Sequence, residues 1–493
     1  MARTSTLPPA RKSPPNPRRV LGASFIGTAV EWYDYFIYGM AAALVFGPQF
    51  FPQFSPAAGT LASFATYSVG FAARPLGGIV MGHFGDRVGR KSMLVLSLAV
   101  MGLATTGIGL LPTYSTIGVW APVLLVFLRF VQGLGVGGEW SGAVLMAVEH
   151  APAGRRGFYG SFPQMGVPGG LILANLVFLA TSQGLGAEAF ADWGWRIPFL
   201  ASSVLIAVGL VIRAKVEESP EFTAARQAAP EQKTPRLPVV EVLRHQWRDV
   251  LLAGGTFVAN NAIGYVFMAY TLSYGTTVLG ISRNTMLTLI LVAAAVWLAT
   301  TAWGAALSDR LGRRRVFLAG SVGLLVAAAV LFPLVDTAST PMVLLALVLT
   351  AVMLGFTYGP QAALFSELFP AELRYSGSSL GYQLGAILGG GIAPTVATAL
   401  YGIDQETWPI TLYLVAIASF SLCCLFVLTR GPQRAVGTGA GAGATGAAGA
   451  GATGAAGAGA TGAAGAGATG AAAGAEAAAE AGDGPEARPT LQV

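Results

Sequence analysis

Apolar residues recur along this chain in uninterrupted stretches of about 20, the length a helix needs to cross the hydrocarbon core of a bilayer. Short polar connections separate the stretches. The pattern predicts helices near 20–47, 58–82, 93–111, 121–148, 157–183, 195–213, 250–279, 285–307, 316–335, 341–366, 375–401 and 407–429. An all-α polytopic membrane protein with twelve transmembrane helices follows. Composition agrees: 54% of the residues are hydrophobic and 11% charged, against roughly 25% charged in an ordinary soluble domain. A water-soluble fold is excluded.

Basic residues set the expected orientation, because cytoplasmic connections carry the Lys and Arg excess. The even-numbered connections hold Arg87, Arg90 and Lys91; Arg155 and Arg156; Lys215, Arg226, Lys233, Arg236, Arg244 and Arg248; and Arg310, Arg313, Arg314 and Arg315. Odd-numbered connections hold almost none, Arg283 and Arg196 excepted. Both termini are therefore expected in the cytoplasm, in a multi-pass protein of the cell membrane. The net charge of +6 is accounted for by this topology, and no basic groove suited to nucleic acid accompanies it. The basic, proline-rich N-terminal segment precedes a span too long for a signal peptide, so it is expected to be retained. Cys423 and Cys424 are adjacent near the end of the last span, an arrangement suited to packing rather than to a structural disulfide.

The organisation read from these features is a cytoplasmic N-terminal tail over 1–19, a six-helix half over 20–213, a cytoplasmic central loop over 214–249, a second six-helix half over 250–430 and a Gly/Ala-rich tail over 431–493. The tail repeats GATGAAGA from Gly443, Gly451 and Gly459. It has too little side-chain surface to offset its ordering entropy and is expected to be disordered. The halves echo each other. GHFGDRVGRK at Gly82–Lys91 recurs as AALSDRLGRR at Ala305–Arg314, and Glu149, Pro152 and Arg156 recur as Glu367, Pro370 and Arg374. Parallel six-span repeats with a site near the midplane describe one transporter design.

Five ionisable residues fall inside predicted spans: Glu31, Asp34, Arg74, Arg129 and Glu139. Facing lipid together they would cost about 12–18 kcal/mol, so they are expected to face the protein interior or a wet cavity. Glu31, Asp34, Tyr35 and Tyr38 share a helical stripe by their spacing, which reads as a pathway lining. Arg129 and Glu139 are separated by about 15 Å along one helix and cannot pair directly. Arg129 is a candidate for an anionic substrate group or a carboxylate on another helix, and Glu139 or Asp34 for proton exchange; a static salt-bridge network is the alternative. Gln132, Gln164, Asn260, Asn261, Tyr265, Tyr358, Gln361 and Gln383 add a possible polar cavity, or hydrogen bonds between helices.

Other chemistry is not indicated. The run GLGVGG at Gly133–Gly138 lies in an apolar span and follows no strand, so it reads as close helix packing rather than a nucleotide loop. No GxxxxGK[ST] occurs, and His83, His150 and His245 lack metal-ligand spacing. No catalytic constellation, metal site, cofactor or obligate protein partner is expected.

GHFGDRVGRK after the second span, RFVQGLGVGGE in the fourth and EESPEF after the sixth resemble the major facilitator superfamily. EWYDYFIYG, FAARPLGG, WGWRIPF and ELFPAELRYSG narrow the resemblance to its metabolite:proton symporter family, which includes shikimate, 2-oxoglutarate and proline/betaine carriers. The resemblance covers residues 20–430 and implies alternating access of two halves, with a proton gradient driving uptake of a small polar metabolite. It also implies that Asp86, Arg87 and Arg90, with Asp309, Arg310 and Arg313, latch the halves, and that Arg129 belongs to the cavity or coupling network. One departure is Ala305 where the first loop copy has Gly82. A proton-driven exporter and a non-transporting membrane sensor are the competing readings.

Overall fold

The computed structural model describes residues 17–88, 90–137, 143–144, 147–148, 151–152, 154–214, 238–369 and 374–430. Side chains are described for these except at 17–20, 81–88, 90–92, 94, 187, 212–214, 238–240, 243 and 374–375. The calls on Glu139, on the central loop up to residue 237 and on the tail from 431 lie outside the described residues.

Twelve long helices stand where the hydropathy pattern predicts them. They are α1 (Pro17–Leu44), α2 (Pro56–Val88), α3 (Arg90–Leu110), α4 (Trp120–Val136), α5 (Arg156–Ala189) and α6 (Arg196–Ala214) in the first half. The second half has α7 (Trp247–Tyr265, continued through a π-turn at Val266–Tyr270 to Thr271–Thr277), α8 (Arg283–Leu311), α9 (Arg313–Val335) and α10 (Thr340–Leu368). It ends with α11 (Arg374–Gly385, a π-turn at Ala386–Gly391, then Ala393–Asp404) and α12 (Trp408–Arg430). By length and hydropathy alone, seven of the described helices qualify as membrane spans. α1 is not among them, since Glu31 and Asp34 interrupt its apolar run.

Elsewhere a helix this long would rarely tolerate internal proline, yet Pro75, Pro163, Pro168, Pro333 and Pro360 all sit inside helices. In a bundle, neighbouring helices and hydroxyl side chains satisfy the freed carbonyls. Outward-facing positions are apolar and exposed, among them Leu103, Phe127, Val204, Leu412 and Val427. Such a surface suits lipid and would be an aggregation hazard in water.

Within the first half, α2 packs on α4, α3 on α4 and α6, and α1 on α5 and α6. The second half repeats the scheme with α8 and α9 on α10 and α7 on α11 and α12. Two seams join the halves, α5 against α8 and α2 against α11. α2 and α4 meet backbone to backbone: a Cβ on Gly133 would overlap the carbonyl of Gly70, one on Gly137 that of Arg74, and one on Gly77 that of Leu134. Gly312 has a positive φ of 94°, and this left-handed residue is what lets the chain turn abruptly from α8 into α9 within the second DRLGRR motif.

Candidate functional site

α1 carries Asp34 into the middle of the first half, where it is fully buried. Its carboxylate accepts hydrogen bonds from Thr105 Oγ1 of α3 at 3.0 Å and from the Ser202 hydroxyl of α6. Thr105 in turn accepts from Gln132 Nε2 of α4 at 2.8 Å, and the Gln132 carbonyl accepts from Arg129 Nη1. A continuous polar chain therefore runs Arg129, Gln132, Thr105, Asp34, Ser202. The single Thr105 proton has a second acceptor within reach, the Met101 carbonyl at 2.9 Å.

Arg129 is fully buried and, among the described residues, meets no carboxylate directly. Its guanidinium lies 4.2 Å from the ring centres of Tyr35 and Tyr38 and 4.5 Å from that of Tyr67. A Cβ on Gly70 would overlap its Nε, so the glycine gives the guanidinium its seat. Arg74 occupies a parallel niche nearer the second half. It lies 4.2 Å from the Tyr35 ring, 4.4 Å from Phe71 and 5.5 Å from Trp32, and its Nε donates to Tyr35 Oη at 3.1 Å. Tyr35 thus stands between two cations. Cation–π contact of this kind contributes about 2 kcal/mol when desolvated, which offsets part of the cost of burying a guanidinium.

Between the halves, Trp32, Phe36, Asn260, Asn261, Tyr265, Trp297 and Tyr358 line a cavity of about 20 Å³. That is room for one water and not for a metabolite. Both ends of the seam above and below it are bridged. At the end bearing the loop motifs, the Asp309 carboxylate accepts from the backbone N–H groups of Gly157 and Phe158, at 2.8 and 2.9 Å, on the first turn of α5. Arg313 holds Asp309 at 3.2 Å and reaches Glu367 at 3.2 Å. At the far end, Ser182 Oγ donates to Asn284 Oδ1 at 2.9 Å, Ser68 Oγ donates to the Gly391 carbonyl, and Arg283 lies 4.6 Å from the Phe190 ring.

The other candidates fall into two groups. Asn260, Asn261 and Tyr358 line the cavity. Gln164 Nε2 donates to the Tyr358 carbonyl at 3.2 Å and to Gln361 Oε1 at 3.4 Å, and Gln383 Nε2 donates to the Gly137 carbonyl at 3.0 Å, so these amides cross the seam. The expected stripe on α1 divides: Asp34 turns to α3 and α6, while Tyr35 and Tyr38 turn to the arginines and α2. Glu31 is buried, and within electrostatic reach of Tyr382. Arg310 is exposed, and the side chains of Asp86, Arg87 and Arg90 lie outside the described residues.

Residues 24–394 match the family described as Major Facilitator Superfamily. The chain belongs to the major facilitator superfamily. This facilitator is 42% identical over 417 residues to the inner membrane metabolite transport protein YhjE of Escherichia coli (strain K12), covering 83% of this chain and 93% of that protein. It is 42% identical to the shikimate transporter of the same strain, over 81% of this chain and 91% of the relative, and 34% identical to its proline/betaine transporter, over 82% of each. Among solved structures, a D-xylose-proton symporter superposes with a TM-score of 0.65 at 17% identity, over 84% of this chain and 97% of that one, which shows a shared fold. The facilitator is accordingly an integral membrane transporter of metabolites and not an enzyme.

Its sequence did not single out Thr105, Ser202, Trp32, Tyr67, Trp297 or Tyr382. Hydroxyls are common in membrane helices and usually bond their own backbone; Thr105 does so as well, to Met101. The only available signal was that Trp32 lies two residues before Asp34 in EWYDYFIYG.

Proposed function

We propose that this facilitator is a proton-coupled importer of a small polar metabolite bearing a carboxylate, an organic acid or a zwitterion, working by alternating access. The relatives named for their cargo carry shikimate, proline or betaine, all of them carboxylates. The observation that carries the coupling is the buried chain from Arg129 to Asp34. Thr105 has one proton to give: ionised Asp34 takes it, whereas protonated Asp34 becomes the donor and Thr105 turns to the Met101 carbonyl. Protonation of Asp34 thereby reverses a hydrogen bond on α3 and removes the negative charge that Arg129 senses through Gln132. A state open to the acidic outer face loads Asp34, and a state open to the cytoplasm unloads it.

In this reading Asp309, Arg310 and Arg313, with Asp86, Arg87 and Arg90, form cytoplasmic latches, both termini are cytoplasmic, and the partners are substrate, protons and the lipid bilayer. Glu139 is a second candidate proton carrier.

The test is uptake into proteoliposomes of labelled shikimate, 2-oxoglutarate, proline and glycine betaine, with and without an inward proton gradient. Accumulation that needs the gradient supports the proposal. Equilibration indifferent to it would mean uniport, and depletion of a preloaded compound under the same gradient would mean export.

A further inference from the structure

Several buried hydrogen-bond donors around the cavity between the halves have no acceptor. Arg74 Nη2 from α2, Trp297 Nε1 from α8 and Gln361 Nε2 from α10 are unpartnered, on side chains 1%, 6% and 0% exposed. Trp297 lines the cavity, Arg74 lies against the lining residue Trp32, and Gln361 is one helical turn beyond the lining residue Tyr358. Tyr265 Oη, on the cavity wall, and Gln383 Oε1 are also unpartnered; the hydroxyl can donate or accept and the carbonyl only accepts, so donors still exceed acceptors. Buried donors are rarely left unmet in a native fold, and a cluster of them calls for a ligand rich in acceptors.

The two arginines differ in what they can reach. Arg129 is enclosed by three tyrosine rings and Gly70 inside the first half and is tied to Gln132. Arg74 faces the second half, within electrostatic reach of Tyr265 and Tyr382. Nothing in the coupling scheme uses it.

We propose that Arg74 binds the carboxylate of the transported substrate, with Trp297 and Gln361 donating to the same molecule from the opposite half. This rests on the carboxylate reading above and adds the residue and the substrate class. Among the described residues Arg74 is the one cation placed beside the cavity, so the site matches a single carboxylate; a second would lie unpaired against aromatic walls. Trp32 and Tyr265 offer flat apolar faces to a ring or to methyl groups. The preferred cargo is a monocarboxylate with an apolar face. Because its acceptors are met from both halves, the bound molecule itself favours closure.

The experiment compares wild type, Arg74→Gln and Arg74→Lys in proteoliposomes, with labelled shikimate and labelled glycine betaine in counterflow at equal pH, each competed by its own carboxamide and by a dicarboxylate. For whichever compound the wild type carries, Arg74→Gln should raise KM by about 10- to 100-fold, the size of a lost charge-assisted hydrogen bond, with Arg74→Lys between. The wild type should prefer carboxylate to carboxamide, and that preference should collapse in Arg74→Gln. An unchanged KM and preference in Arg74→Gln would overturn the assignment while leaving the carboxylate reading intact; strong competition by the dicarboxylate would overturn the monocarboxylate class. A wild type that carries neither compound, or whose counterflow is competed as well by the carboxamide as by the carboxylate, would sink both. If Arg74→Gln does not reach the membrane, the carboxylate preference of Arg74→Lys decides, since it should fall below wild type.

Discussion

The two halves share six helices and one packing scheme, but their interiors differ in charge. Among the described residues the ionisable side chains buried in the helix interior, Glu31, Asp34, Arg74 and Arg129, belong to the first half; in the second half the Asp309 carboxylate is covered only at the loop end, where it meets α5. In its interior the second half buries neutral polar groups, including Asn260, Asn261, Thr357, Gln361 and Gln383; Thr357 donates to Asn260 at 3.1 Å, while Gln361 and Gln383 meet Gln164 and the Gly137 carbonyl across the seam. A duplicated fold therefore need not duplicate its chemistry. Interior charge that can change state with pH sits in one half, and the other supplies amides and aromatic rings whose hydrogen bonding is indifferent to pH.

The sharpest way to break this contrast is at Asp34. Asp34→Asn fixes the protonated mimic and should abolish gradient-driven accumulation while sparing counterflow; Arg129→Gln should impair both, because the guanidinium positions the whole chain. Paired accumulation and counterflow assays, corrected for abundance, distinguish them. If Asp34→Asn accumulates substrate like the wild type, proton coupling does not pass through this residue, and a static network replaces the proposal.

A smaller effect is expected at the glycines. Gly70→Ala intrudes on Arg129, whereas Gly355→Ala in the second half intrudes on Thr300. Each should cost about 1–3 kcal/mol through overpacking, visible as a lower melting temperature. Only Gly70→Ala should also shift the pH dependence of uptake; a shift in Gly355→Ala would erase the distinction between the halves.

Asp309→Asn weakens the contact of α8 with the first turn of α5, the proposed latch, and leaves both interiors alone. Turnover should change by a few fold with KM for substrate nearly constant, measured as the rate of counterflow at saturation. Loss of binding with cycling intact would contradict a latch. Smallest of all, removing residues 437–493 should leave the transport rate at equal abundance unchanged, since their composition offers no apolar face to dock.

The helices were legible because bilayer thickness imposes a length and an apolar run on each, and the loop motifs because they recur. The site was only half legible. Asp34, Arg129 and Gln132 stand out as polar residues in apolar spans, yet the chain joining them passes through Thr105 and Ser202, whose hydroxyls look ordinary in sequence. Four helices contribute to it, and periodicity along one helix carries no record of which neighbour it meets. The π-turns at Val266–Tyr270 and Ala386–Gly391 were likewise invisible, since one extra residue in a turn alters neither composition nor hydropathy.

The backbone contact between α2 and α4 has a mechanical meaning. Where two helices touch through side chains, rotamers act as springs and absorb part of any displacement. Between Gly77, Gly133 and Gly137 and the carbonyls facing them there are no springs. The two helices form one stiff beam, and it carries the first loop motif at one end and both buried arginines along its length. A displacement of one helix backbone therefore carries the other with it, and with them the anchor points of Arg74 and Arg129.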